Sequence, residues 1–266
     1  MTERVRFTNT DDWRETRRLE NSAAFLAPYI KPGMSVIDCG CGPGTITCDL
    51  AEAVFPGKVV GVDRSQEIVG RATGIARERG LTNVHFEHGD INKLRFADGT
   101  FEAALESSTL QYLPRPSRAV REIFRVLKPG GVFGARDRDY RGDLFGNPNA
   151  VVRAAWRMHY QSYKQVNGLD LTLGGRLRDL LHAAGFEELI NTATYEDHGD
   201  QEGARWIAAF YTRNFDSNWY VSQILERGFA TSELLEEWRQ AWQAWGEDPR
   251  SFYSIARSEV VGWKPI

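Results

Sequence analysis

An α/β chain built on a mostly parallel sheet is the fold class this sequence predicts, and three observations predict it. Short apolar runs alternate with helical stretches between residues 34 and 140, the pattern of strand–helix–strand units. The first run, Val36-Ile-Asp38, empties into a loop with three glycines in five positions, Gly40-Cys-Gly-Pro-Gly44, and a helical stretch opens at Thr45. The second run, Lys58-Val-Val-Gly-Val62, ends in Asp63, nineteen residues after the last loop glycine. A buried strand, a loop whose backbone must approach something closely, and a helix N-terminus aimed back at that loop together describe a cradle for an anionic or polar ligand. A carboxylate at the tip of the next strand stands where a ribose diol is gripped.

The elements follow in order. A helical segment is expected from Asp11 through Ile30, with Trp13, Leu19, Ala23, Leu26 and Tyr29 near helical spacing. Strand one and the glycine loop come next, then a helix from Thr45 to Val54 and strand two up to Asp63. Asn83–Glu87 reads as strand three, followed by Gly89-Asp90-Ile91. Phe101–Glu106 reads as strand four, running into Ser107-Ser-Thr109. The helix from Ala119 ends at Lys128, stopped by Pro129-Gly-Gly131, and Val132–Ala135 is strand five. Beyond Tyr140 the pattern changes: strand six (186–195) and a last strand (255–262) are interrupted by helical insertions near 148–167 and 200–246.

The loop Asp38-Cys-Gly-Cys-Gly-Pro-Gly44 reads D-x-G-x-G-x-G and resembles the first motif of class I S-adenosylmethionine-dependent methyltransferases. The ending Arg125-Val-Leu-Lys-Pro-Gly-Gly131 is similar to that of the ubiquinone/menaquinone-methyltransferase-like branch, and Arg17-Arg-Leu-Glu-Asn-Ser-Ala-Ala24 resembles the R-x-x-E-N-S-A-A segment of its small-molecule members. The resemblance implies a Rossmann-like, doubly wound, seven-stranded sheet, mostly parallel with the last strand antiparallel, carrying an N-terminal helix and a helical lid. It implies S-adenosylmethionine as cofactor and S-adenosylhomocysteine as product. It further implies cofactor contacts from Arg17, Asn21, Asp38, Gly40, Cys41, Gly42, Gly44, Asp63, Arg64, Gly89, Asp90, Ile91, Glu106 and Ser107. A nicotinamide fold wants G-x-G-x-x-G, and Thr45 or Thr47 stands where the third glycine belongs.

Composition bounds the rest. At 266 residues and 42% apolar content, one domain is expected, divided into an N-terminal cap (1–30), a cofactor core (31–140), lid insertions (141–172 and 198–250) and a final strand (251–266). A net charge of −3 gives no case for nucleic acid. No apolar run approaches the roughly 18 residues that span a bilayer. Three cysteines, two in the glycine loop, form neither a disulfide framework nor a metal set, which fits a cytoplasmic protein, monomer or homodimer, without metal.

Acceptor identity must lie in the insertions. Six of the eight tryptophans fall between residues 150 and 246. Trp238, Trp242 and Trp245, at i, i+4 and i+7, read as a packing stripe. Trp206, Phe210 and Tyr211 lie on a more amphipathic segment and read as acceptor contacts, with Tyr112, Arg136 and Tyr163. The polar stretch Arg136-Asp-Arg-Asp-Tyr140 follows a buried strand; Asp139 and Tyr140 are catalytic candidates, against a solvated, internally paired loop. His159 is the histidine placed to reach a cavity. The expected reaction is methyl transfer to a small apolar, aromatic acceptor, at carbon or nitrogen in preference to oxygen, in specialised-metabolite or quinone-type biosynthesis. The alternatives are cyclisation or rearrangement promoted by the same cofactor and, behind it, a nicotinamide oxidoreductase.

Overall fold

The structure, a computed structural model, describes residues 14–266; Asp11–Trp13, where the N-terminal helix was expected to begin, lie outside the described residues. The chain divides into two compact units. The first comprises the described residues up to Asp137, together with 173–193 and 258–266. Its sheet is ordered β3-β2-β1-β4-β5-β8, with β7 paired to β8. The strands are β1 (Val36–Cys39), β2 (Val59–Asp63), β3 (Val84–His88), β4 (Phe101–Ser107), β5 (Leu127–Arg138), β7 (Glu187–His198) and β8 (Phe252–Trp263). β1 to β5 run parallel. β8 opposes them: Gly130 N donates to the Lys264 carbonyl, and Lys264 N donates to that of Gly131, pairing the start of β5 with the end of β8.

Strands buried on both faces feed two layers, and β1 shows how. Ile37 and Cys39 pack with α3 (Pro116–Val126) and α5 (Leu177–Ala184), through Val120, Ile123, Leu177 and Leu181. Val36 faces the other way, into Leu26, Ile46, Leu50 and Val54, the last three from α1 (Thr45–Val54). α2 (Gln66–Glu78) packs Val69, Ala72 and Ala76 against Phe86 of β3. Period-two alternation on a doubly covered sheet is the physical reason these runs are apolar throughout.

The second unit comprises residues 138–172 and 194–257. It holds α4 (Ala150–Ser162), α6 (Gln201–Arg213), α7 (Asn218–Glu226) and α8 (Ser232–Glu247). It also holds a short strand absent from the sequence reading, β6 (Leu144–Gly146), antiparallel to β8 with Phe145 opposite Tyr253. The expected stripe on α8 is a packing stripe: Trp238, Trp242 and Trp245 are all buried.

The N-terminal cap departs from expectation. In place of one helix to Ile30, the described residues show helix at 14–15, a break at 16–18, a helical turn, Leu19–Ser22, and a separate 3₁₀ turn, Ala27–Tyr29. The polar run Glu20-Asn-Ser22 explains the break: the Asn21 side chain accepts from Arg18 N at 2.8 Å and donates to the Thr16 carbonyl at 3.0 Å. Such local bonds compete with helix propagation. Pro28 then sits inside the second turn.

Candidate functional site

The glycine loop is built by its conformations. Gly40, Gly42 and Gly44 take φ of +85°, +55° and +82°, the left-handed region that side chains strain to enter. Their surroundings differ. A Cβ on Gly40 would strike the Thr109 side chain, and one on Gly44 would strike Phe86 and Ala72. A Cβ on Gly42 would meet nothing within 4 Å, so a ligand can lie against that backbone. Gly44 caps α1, whose first N–H groups point into the same space.

Carboxylates line the loop. Asp63, at the end of β2, accepts from Gly42 N at 3.1 Å through one oxygen and from Ser65 N at 3.0 Å through the other. Arg64, beside it, is exposed, and its carbonyl meets His88 Nε2 at 3.0 Å. After β3, Asp90 accepts from the Asn92 backbone and side chain, which fixes a tight turn, and Ile91 is buried. Asp38 is buried and accepts from Thr47 Oγ1 at 2.6 Å; burial pushes its carboxyl up to about 6. Cys41 sits in the loop with its thiol driven well above the usual range by burial.

At the end of β4, Glu106 is fully buried. Its Oε1 accepts from Thr109 N (2.5 Å) and Leu110 N (3.1 Å), while Oε2 is buried with no partner. Ser107 Oγ donates to the Ser22 carbonyl at 3.1 Å, and the Arg17 guanidinium reaches the Ser107 carbonyl and hydroxyl. Arg18 and Arg79 both pair with Asp49 on α1. The cap residue Asn21 is occupied by the local turn described above. Tyr112 is half-buried on a 3₁₀ turn after β4. Arg136, expected at the acceptor, is buried in an ion pair with Glu259 at 3.1 Å, whose second oxygen accepts from Thr192 Oγ1. All these residues belong to the first unit.

The second unit gathers the remaining candidates. Asp139 accepts from Arg141 Nε and Nη2 (2.8 and 2.5 Å) and caps a short turn. Tyr140 stacks on Tyr160 at 3.9 Å between centroids. His159 is buried among Tyr163 (4.2 Å), Tyr211 (4.8 Å) and Tyr160 (5.5 Å), with Nδ1 lacking a partner. Burial, then Arg138, lowers its imidazole to about 3. Tyr211 is buried and stacks on Trp242 at 4.5 Å. Trp206 and Phe210 are half-buried; Trp206 stacks with His198 (4.7 Å, 2° apart) and with Phe210 (5.5 Å, 18°). His198 is the last residue of β7, which runs past the 195 expected for that strand.

Sequence reasoning missed the polar centre of this unit. The Asp143 side chain is fully buried and its Oδ2 accepts from Arg138 Nη2 (2.5 Å), Tyr253 (2.6 Å) and Tyr160 (3.2 Å). The Tyr211 hydroxyl closes the ring at 2.9 Å from Tyr160 and 3.0 Å from Tyr253, and Trp156 Nε1 donates to Tyr253 at 2.7 Å. Nothing in an R-G-D triplet marks Asp143 as the hub, because its partners are long-range.

Among the described residues no group of three His, Cys, Asp or Glu could hold a metal ion, and no helix is long and apolar enough to cross a membrane.

Comparison with known proteins bears on this geometry. The family described as "Methyltransferase domain" matches residues 30–185. The "Probable methyltransferase ltbC" of Aspergillus luteorubrus is 29% identical across 97% of this chain and 95% of its own length. The demethylmenaquinone methyltransferase of Lactococcus lactis is 39% identical over 100 residues, 37% of this chain and 40% of that one. Among solved structures, the [4+2]-cyclase SpnF superposes with a TM-score of 0.55 at 25% identity, covering 96% of this chain and 80% of that one. Nicotinamide chemistry falls away with this match. The open backbone at Gly42, the α1 N-terminus and the buried acids at the ends of β1 and β4 fit a zwitterionic nucleoside cofactor. The chain belongs to the methyltransferase-domain family, as a class I methyltransferase whose cofactor is S-adenosylmethionine.

Proposed function

We propose that the enzyme methylates a small, largely apolar acceptor bearing an aromatic ring, at carbon or nitrogen in preference to oxygen, in specialised-metabolite or quinone-type biosynthesis. In this reading Gly40, Cys41, Gly42 and Gly44 offer backbone to the methionine moiety. Asp63 and Arg64 hold the ribose, and Gly89, Asp90 and Ile91 the adenine. Asp38, Glu106, Ser107, Arg17 and Asn21 close the methionine end. Residues 141–172 and 198–250 carry the acceptor contacts. The three thiols, free and buried, suit the reducing cytoplasm, and the enzyme acts there as a monomer or homodimer.

The observation that carries the acceptor half is the stack His198–Trp206–Phe210. It sets near-parallel rings side by side, with Trp206 and Phe210 half-buried, while the packing tryptophans of α8 are buried. Flat, half-covered aromatic surface favours a planar apolar partner. When bound, the cofactor supplies a methyl group already activated on a sulfonium. The chain's task is then to orient the acceptor and exclude water. His159, held neutral, can accept a hydrogen bond from an acceptor N–H or O–H near neutral pH and so orient it. Tyr160, Tyr163 and Tyr211 wall that ring, with Tyr140 stacked on Tyr160, and Asp139 acts from its pair with Arg141. A second reading, cyclisation or rearrangement under the cofactor's positive charge, is favoured by the likeness to the [4+2]-cyclase SpnF.

Trp206→Ala tests the acceptor surface. Loss of one stacking face of about 1.5 kcal/mol should lower kcat/KM for the acceptor about tenfold, with S-adenosylhomocysteine affinity unchanged by calorimetry. An early-melting variant that keeps the wild-type ranking of acceptors would assign Trp206 to the scaffold.

A further inference from the structure

Glu106 is a glutamate of unusual situation: it lies at zero exposure, at the ligand end of β4 and one strand from Asp38, with one oxygen held by two backbone N–H groups and the other buried without a hydrogen-bond partner. The charged and titratable groups that act on it are the Arg17 guanidinium from the N-terminal segment and the Asp38 carboxyl on β1. The Cys39 thiol, on β1, feels both acids in turn, and Asp63 of β2 bears on Asp38. Two buried carboxyl groups therefore stand against one guanidinium at the floor of the cradle. Burying a second negative charge there without a second cation is costly, so one carboxyl keeps its proton until a cation arrives. Backbone donors on Oε1 leave Oε2 as the oxygen that bears it.

We propose that Glu106 carries a proton in the ligand-free enzyme and selects ligands by their ammonium group, ionising as that cation enters, so that cofactor binding expels a proton to solvent. The balance is simple: Glu106 COOH becomes COO⁻, the ligand keeps its ammonium, and the proton goes to buffer. Burial pushes the Glu106 carboxyl up to about 7, which places the effect within the working range. The sign follows. The bound state favours the ionised form, so affinity rises with pH below the free-state value, by up to about tenfold per pH unit, and levels off above it. The inference rests on seating the cofactor in the Gly40–Gly44 cradle.

The experiment is titration calorimetry of S-adenosylhomocysteine into the whole enzyme, in buffers of contrasting ionisation enthalpy. About half a proton should be released per site at pH 7 and only about a tenth at pH 8, where the ligand's ammonium is still largely charged. 5′-Methylthioadenosine, which lacks the ammonium, should bind the wild-type enzyme without proton release. Glu106→Gln should abolish the release, flatten the pH dependence and narrow the preference for S-adenosylhomocysteine over 5′-methylthioadenosine. Should that variant fail to fold, the two wild-type titrations still decide. Tight binding with no buffer-dependent heat at pH 7, or equal release with both ligands, would overturn the proposal while leaving the cradle intact. Absence of any binding would remove the cradle reading and this one together.

Discussion

Asp143→Ala should cost about 3–5 kcal/mol of stability, the range for breaking a buried ion pair by removing one partner. At this chain length that corresponds to a fall in Tm of about 6–20 °C. The Asp143 carboxylate collects a guanidinium, two phenols and the Ala256 backbone N–H, and its side chain has no exposed surface. Removing it strands the Arg138 cation, whose Nε already lacks a partner, among the rings of Tyr160, Tyr211 and Tyr253. The double change Arg138→Met with Asp143→Leu should recover most of the loss, because an apolar pair of similar volume needs no desolvated charge. Urea unfolding of both variants checks this. A single-variant loss below about 1 kcal/mol, as for an exposed pair, would contradict the burial assigned to this network.

The second large effect is expected at Asp63. Its two oxygens hold Gly42 N and Ser65 N, so the residue shapes the loop as well as offering acceptors to a ribose diol. Asp63→Ala should weaken S-adenosylhomocysteine binding by about 1.5–3 kcal/mol, roughly 10- to 150-fold, the worth of hydrogen bonds to a charged group. Asp63→Asn keeps an acceptor oxygen and should lose less. Calorimetry gives both values, and an unchanged affinity in the alanine variant would place the nucleoside elsewhere.

The two networks differ in how far they could be read from sequence. The cradle is local: Asp38, the three loop glycines and Thr47 lie within ten positions, and Asp63 closes the next strand, so apolar runs and glycines announce it. The parallel strands were legible because runs buried on both faces stand out as short, continuous apolar stretches. The N-terminal cap was misread because Leu19, Ala23 and Leu26 keep helical spacing while the Asn21 side chain satisfies the backbone locally at Arg18 and Thr16. In the second unit the α8 tryptophans announced themselves by period. The Asp143 hub did not, because its phenol partner Tyr253 lies 110 residues away. Arg136 looked like an acceptor contact because a charged residue past a buried strand usually meets solvent or ligand. Here Glu259, 123 residues on, meets it inside the sheet.

Methyl transfer from S-adenosylmethionine to a small aromatic acceptor, as proposed above, leaves a mass signature in the product. The most direct measurement is mass spectrometry after incubation with trideuteromethyl-labelled cofactor and a panel of indoles, quinols, phenols and amines. The expected result is an acceptor product carrying the intact CD₃ group, with an equal amount of S-adenosylhomocysteine, and strongest conversion among electron-rich rings methylated at carbon or nitrogen. A product rearranged or cyclised without the label, with the cofactor recovered unchanged, would contradict it.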